Sequence, residues 1–393
     1  MIKREISSYI QKLSNQYPVI TITGPRQSGK TTLAKAIFEK KKYINMEDLE
    51  ERAFAQSDPK GFLKKIPDGA ILDEIQYAPC LVSYIQTIVD TKKVNGMFIL
   101  TGSQQFEIVN SINQSLAGRT ALIKLLPFSL SELKNQYNYS DIDEIIFRGF
   151  YPRIYDQNLN PYQAYGDYTE TYIERDLRKL INIKNISIFQ KFLKLCAGRI
   201  GQILNLNSLS NDLGVSHTTI RQWITVLQAS YIVFLLEPYY KNIRKRLIKS
   251  PKLYFYDTGL ASFLLGIEKK SYLETHPLRG NLYENLVVME VLKQRYNKGE
   301  RDNLNFYRDK TGNEIDLIYN IAQHIITIEI KSSETISKDY FKGFRSIEDG
   351  LGAENIYKKI LVYGGDREEK RNDIYISNIY KICSLINKIK RGL

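Results

Sequence analysis

The sequence predicts an α/β fold, and three observations lead there. Gly24-Pro25-Arg26-Gln27-Ser28-Gly29-Lys30-Thr31 reads as a phosphate-binding loop: Gly, four free positions, then Gly-Lys-Thr. It lies between a β-branched run, Val19 to Thr23, and a helix-like run, Thr32 to Lys40. Two further apolar runs, Gly69 to Leu72 and Met97 to Leu100, end in polar residues, as buried parallel strands do. The C-terminal third repeats the α/β pattern, with a helix-like stretch from Gly280 and strand-like runs near Glu314 and from Ile325 to Lys331. The predicted order is a P-loop nucleotide-binding domain (1–135), a helical, lid-like segment (136–200), a winged helix-turn-helix (201–254) and a second α/β domain (255–393).

In the first domain, a loop that enters a helix N-terminus aims backbone N–H groups and the positive dipole end at an anion. Gly24 and Gly29 let the backbone approach phosphate oxygens where a Cβ would collide. Residues Gly24 to Thr31, with Thr32, would cradle the phosphates of ATP. Lys30 would reach the β- and γ-phosphates, and the Thr31 hydroxyl would hold Mg²⁺. Asp73, closing the second apolar run, would orient Mg²⁺ and its waters, and Glu74 would polarise the attacking water. Ser103, with Thr101 as the alternative, would sense the γ-phosphate. Arg119, in Leu116-Ala117-Gly118-Arg119, is the candidate for stabilising transition-state charge. Acting in trans it requires a homo-oligomer; acting in cis it requires only a monomer.

Composition sets the frame. The 393 residues allow two to four domains, and 43% hydrophobic residues support packed cores. A net charge of +13 and a pI near 9.3 favour polyanion partners. Cys80, Cys196 and Cys383 lie far apart, which argues against a disulfide framework or structural zinc and for a reducing compartment. No apolar run approaches the length of a membrane span. The opening Met1-Ile2-Lys3-Arg4-Glu5 carries a glutamate and leads into no long apolar core, unlike a signal peptide. The expected location is the cytoplasm, with no membrane partner.

The middle of the chain is helical and aromatic. Tyr165, Tyr168, Tyr172, Ile173, Leu177 and Leu180 recur at helical spacing between Tyr162 and Ile183, a stripe that packing explains, while Arg175 and Arg178 suit surface ion pairs. Leu206 to Asp212 gives a short helix, Leu213-Gly214-Val215-Ser216 a turn with Ser216 as N-cap, and His217 to Ala229 a second helix. Ile220, Trp223, Ile224 and Leu227 would be buried. His217, Thr218, Arg221 and Gln222 would face outward, where a recognition helix meets base edges or phosphates. The strand Tyr231 to Leu236 is followed by Tyr239 to Lys252, which has no acidic residue. A basic wing fits it, with duplex DNA as partner through Arg221, Lys241, Arg244, Lys245 and Arg246.

In the last segment, Asp316 and the pair Glu329 and Lys331 fall on successive strands, with Glu329 and Lys331 on one face. Glu284, near the start of the helix from Gly280, could complete an acidic cluster. Carboxylates on adjacent strands suit Mg²⁺ or Mn²⁺, and a neighbouring lysine can orient a metal-bound water. This is the arrangement of PD-(D/E)xK restriction-type nucleases, so the last domain reads as nuclease-like.

Together these motifs resemble a family of prokaryotic AAA-type ATPases whose C-terminal domain of unknown function is related to restriction-type nucleases. The resemblance rests on Gly24 to Thr31, Leu72-Asp73-Glu74-Ile75-Gln76, Leu100-Thr101-Gly102-Ser103, and Leu116 to Arg119 followed by Leu126-Pro127-Phe128-Ser129. It continues through Lys249 to Tyr254, Asp257 to Leu260, Gly280 to Asn285, Glu314 to Asp316 and Ile328 to Lys331. It implies an ATPase domain, a winged-helix segment and a nuclease-like domain in that order. The expected activity is Mg²⁺-dependent ATP hydrolysis, with action on or with DNA. Two other readings stay open: an ATP-gated, metal-dependent DNA nuclease, and an ATP-dependent switch that binds a protein partner and no nucleic acid.

Overall fold

Strand β1 (Val19–Thr23) is buried along its whole length, as a β-branched run covered on both faces should be. The chain is described from a computed structural model covering residues 2–103, 115–134, 136–137, 141–177, 185–239 and 250–392. Strands β2 (Lys42–Asn45), β3 (Ala70–Asp73), β4 (Phe98–Gly102) and β5 (Thr120–Lys124) join β1 in an all-parallel sheet of order β2-β3-β4-β1-β5. Helices cover both faces. Ile6, Ile10 and Leu33 pack with Ile20, Ile22, Ile71 and Ile99 on one side. Phe62, Leu81 and Ile85 pack with Val19, Leu72 and Leu100 on the other. Because β4 lies between β1 and β3, three carboxyl ends adjoin at one edge: the phosphate loop, Asp73-Glu74 and Thr101-Gly102-Ser103.

The middle segment departs from the expected continuous helix. Its helix runs Pro161–Tyr168, with the Asn160 side chain accepting from Gln163 N at 3.2 Å, and then widens to π-type winding over Thr169–Leu177. The Thr169 and Thr171 hydroxyls donate to the carbonyls of Tyr165 (2.8 Å) and Asp167 (2.5 Å), competing with the regular helical ladder. Tyr165, Tyr168, Tyr172 and Ile173 are buried, as the stripe predicts. Arg178 and Leu180 lie outside the described residues, as do the side chains of Arg175 and Leu177.

Next come helices Ile186–Ala197, Leu206–Leu213 and His217–Ala229, then an antiparallel ribbon of β6 (Val233–Leu236) and β7 (Lys252–Phe255). Ile203 bridges to Lys252, adding a third short edge. Phe189 and Phe192 meet Trp223 with ring centroids 5.3 and 5.1 Å apart, so the helix before residue 201 belongs to this helical group.

The C-terminal sheet has the order β12-β13-β11-β10-β9-β8, from β8 (Leu304–Arg308), β9 (Glu314–Ile321), β10 (His324–Lys331), β11 (Ile356–Tyr363), β12 (Glu369–Arg371) and β13 (Ile374–Ser377). Strands β10, β11 and β13 are parallel, and β9 pairs antiparallel with β10. Helix Arg279–Asn297 covers one face and Lys342–Leu351 the other. One hydrophobic core runs from Leu126 through Trp223 to Ile389, so the expected boundaries at 200/201 and 254/255 are not gaps in packing. Chain composition registers turns and charge runs, but not which apolar faces meet. No helix among the described residues is long and apolar enough to cross a membrane.

Candidate nucleotide site and C-terminal acidic cluster

The phosphate loop leaves β1 with Gly24 packed so tightly that a Cβ there would lie 2.1 Å from the Leu125 carbonyl oxygen. Gly29 has φ +90°, a conformation that favours glycine. It precedes helix Lys30–Ile37 with no side-chain cap, which leaves the helix N-terminus open to an anion. The Ser28 hydroxyl is buried without a partner. Lys30 is 5% exposed and donates to the carbonyl oxygens of Gly24 (3.1 Å) and Pro25 (2.8 Å), where phosphate oxygens would compete for it. Burial lowers its pKa to about 8, against the nearby charges of Glu74 and Asp73.

Thr31 Oγ1 donates to Asp73 Oδ2 at 2.8 Å, and Tyr43 OH donates to the same oxygen at 2.8 Å. Thr101 donates to Asp73 Oδ1. A hydroxyl beside a carboxylate, both oxygen donors, is the pair that Mg²⁺ accepts alongside nucleotide phosphates. Glu74 has φ +52°, a strained setting for glutamate, directly after β3. Its Oε2 accepts from Gln76 Nε2 and from Ser103 Oγ at 3.2 Å. Ser103, more than Thr101, therefore touches the candidate base, while Thr101 braces Asp73.

These groups open on a cavity of about 600 Å³ lined by Lys30, Thr31, Thr32 and Glu74, by Phe128 and Tyr137, and by Pro152 and Arg153 of the helical segment. Arg4 also lines it. The Arg4 guanidinium is buried, donating to Ser28 O (2.9 Å) and Leu126 O (2.6 Å) and pairing with Glu132 at 3.0 Å. Nothing in the sequence marks Arg4 or Arg153; each is a single arginine outside any motif. Arg26, within the loop, lies over the Tyr172 ring at 5.3 Å and pairs with Glu47 at 3.7 Å.

Arg119 does not reach this site within its own chain. It precedes β5, and its carbonyl accepts from Val19 N at the amino end of β1 (3.2 Å), the opposite sheet edge from the loop. Five residues of strand separate the two edges, roughly 16 Å at about 3.3 Å per residue. Its guanidinium pairs with Asp90 through Nε (2.5 Å) and Nη2 (2.8 Å). The cis reading of Arg119 is thus corrected, because a parallel sheet sends opposite strand ends to opposite edges.

With this geometry in view, residues 16–134 match a family model described as an AAA domain. By that match the segment is similar to AAA domains. Residues 139–271 and 279–382 match two models described as domains of unknown function (DUF8612 and DUF4143). An uncharacterized protein of Mycobacterium tuberculosis is 27% identical over 379 residues, covering 95% of this chain and 83% of that one. An uncharacterized protein of Haemophilus influenzae is 23% identical, covering 95% and 96%. Among solved structures, the Walker-type ATPase of Pyrococcus abyssi aligns at TM-score 0.39 and 15% identity, over 67% of this chain and 96% of that one. AMPPCP-bound DnaA from Aquifex aeolicus aligns at 0.31 and 15%, over 57% and 85%. Scores this low bear on no functional point.

Beyond residue 134, the predicted recognition helix starts at His217, with Ser216 Oγ accepting from Thr219 N at 3.1 Å. Ile220, Trp223, Ile224 and Leu227 are buried, while Thr218, Arg221 and Gln222 are exposed and His217 is half-exposed. Lys241, Arg244, Lys245 and Arg246 lie outside the described residues.

In the C-terminal domain, Glu284, Asp316, Glu329 and Lys331 lie in one ion-paired cluster. Lys331 Nζ lies 2.6 Å from Glu329 Oε1 and 3.6 Å from Asp316 Oδ2. Two further residues join them. Lys252 of β7 places its ammonium 2.9 Å from Glu284 Oε1, in contact with Glu314, and 3.8 Å from Asp316 Oδ1. Burial, then the Asp316 charge, pushes the Glu284 carboxyl up to about 7, and the same two causes push Glu329 up to about 8. The nuclease-type metal expected at Glu284, Asp316 and Glu329 does not fit this arrangement. The Lys252 ammonium, which the motif does not include, stands among the carboxylates, and no group of three His, Cys, Asp or Glu among the described residues is arranged to hold a metal ion.

The depressed Lys30 pKa carries a pH expectation. ATP binds the charged ammonium, so affinity should hold below about pH 8 and fall as pH rises through that value, by up to tenfold per unit, with proton uptake on binding. Titrating a fluorescent ATP analogue from about pH 6.5 to 9.5 checks this, and Lys30→Arg should flatten the profile.

Proposed function

We propose that this protein binds ATP with Mg²⁺ at the phosphate loop, hydrolyses it, and acts with duplex DNA through a winged helix-turn-helix. The observation that carries the reading is the convergence of Lys30, Thr31, Asp73, Glu74 and Ser103 at one sheet edge, under a 600 Å³ cavity closed by Pro152 and Arg153. ATP would lie between the loop and the helical segment. Lys30 would exchange its carbonyl partners for β- and γ-phosphate oxygens, and Ser28 and the open helix N-terminus would supply further donors. Thr31 and Asp73 would hold Mg²⁺, which when bound supplies charge neutralisation on the phosphates. Glu74, steadied by Ser103, would draw the proton of the attacking water. Lys30 would offset charge on the transferring group from within the chain. Arg119 serves this chemistry only from a second copy, which makes it the residue that tests the homo-oligomer.

The DNA part rests on the sequence of helices, turn and antiparallel ribbon, on the exposed Thr218, Arg221 and Gln222, and on the net charge of +13. ATP turnover measured with and without duplex DNA tests the whole reading. The expected result is a DNA-stimulated rate. Duplex binding should also weaken on the order of a hundredfold between about 50 and 200 mM salt if some four phosphates are neutralised. A rate indifferent to DNA, with no binding at physiological salt, would favour the switch that binds a protein partner.

A further inference from the structure

The acidic cluster joins two structural units that are far apart in sequence. Lys252 begins β7 of the ribbon, whereas Glu284 sits on helix Arg279–Asn297 and Glu314 and Asp316 on β9. The Lys252 side chain is 3% exposed, and its ammonium touches all three carboxylates. Its neighbours extend the same attachment. Tyr254 OH donates to Glu284 Oε1 at 2.5 Å. Asn285 accepts from Phe255 N (2.7 Å) and donates to Phe255 O (2.9 Å). On the other strand of the ribbon, Tyr239 N donates to Phe306 O (2.7 Å) and Phe306 N to Glu237 O (3.1 Å), which stitches the chain to the β8 edge.

We infer that Lys252 is an internal cation standing among the carboxylates that the sequence motif would give to a metal, and that the cluster is an ion-paired joint clamping the ribbon to the C-terminal sheet. The position of the ammonium supports it, since Lys252 Nζ is within salt-bridge distance of Glu284, Glu314 and Asp316. Four carboxylates, Glu284, Glu314, Asp316 and Glu329, enclose the two ammonium groups of Lys252 and Lys331. A divalent cation bound here would have to displace the buried Lys252 ammonium, whose side chain is 3% exposed. Removing one partner of such a buried network leaves an uncompensated charge, so the joint resists opening. The ribbon and the C-terminal domain are then held together as one body. This inference stands whether or not the ATPase reading holds.

Mn²⁺ binding to the full chain, followed by calorimetry and by the electron paramagnetic resonance of free Mn²⁺, tests it without nucleotide. The wild type should take up no Mn²⁺ at the cluster and release none on Asp316→Asn. Lys252→Met keeps the stem and removes the charge. It should lower Tm and gain one Mn²⁺ site that Asp316→Asn abolishes, with Tm partly restored by Mn²⁺. Stoichiometric Mn²⁺ binding by the wild type, lost in Asp316→Asn, would overturn the inference. So would a Lys252→Met protein with unchanged Tm. Should Lys252→Met not fold, the wild-type measurement decides alone. Failure of the ATPase reading would appear in turnover and leave these results untouched.

Discussion

Glu74→Gln should lower ATP turnover by about a thousandfold while leaving ATP bound, the range expected when a positioned general base is lost. Three features of the residue argue for so large an effect. Glu74 follows β3 directly in a left-handed conformation that glutamate adopts only where its surroundings impose it. Its carboxylate opens on the same cavity as Lys30 and Thr31, the cavity in which the proposed reading places the γ-phosphate and its attacking water. Its Oε2 is tied to Ser103 and Gln76, so the group is aimed in advance. The amide preserves size and hydrogen bonds but cannot take up a proton at neutral pH. Equilibrium ATP binding and single-turnover hydrolysis, measured on the same preparation, separate the two effects. Turnover within tenfold of wild type would remove Glu74 from the role of base.

Lys30→Ala should weaken ATP binding by about 10²–10³-fold, from the loss of a buried cation facing phosphate at about 2–5 kcal/mol. The ammonium is buried and already coordinated by two loop carbonyls, so it meets phosphate without first being ordered. The substitution also leaves the Gly24 and Pro25 carbonyls without that donor, so a modest fall in Tm accompanies it. Lys30→Met, which keeps the stem, separates loss of charge from loss of packing and should bind ATP as poorly as the alanine variant. Tight ATP binding by either variant would refute the site.

Much of the fold was legible because local physics writes it. Helix His217–Ala229 begins and ends where its Ser216 cap and apolar spacing place it. Strand β1 and the helix from Lys30 follow from a β-branched run, two glycines and a change of period from two to 3.6. Alternation along β10 put Glu329 and Lys331 on one face, and the structure finds them paired at 2.6 Å. Where side-chain hydroxyls competed with the backbone, as at Thr169 and Thr171, the helical pattern did not foretell the wider winding.

The chain by itself therefore determined the phosphate loop, strands β1, β3, β4 and β10 with helix His217–Ala229, and the acidic residues that lie together in the C-terminal domain. These depend on neighbours within one turn or one strand. Tertiary structure alone decided which cations beyond Lys30 and Lys331 serve those sites. Strand order removed Arg119 to the far edge of the sheet, and chain folding brought Arg4 to Glu132, 128 residues away, beside the loop. It also set Lys252 against Glu284, 32 residues distant, among carboxylates that the motif assigns to a metal. A charge far away in sequence carries no signal of its partner, because Coulomb energy depends on distance in space and on burial, and a one-dimensional pattern holds neither.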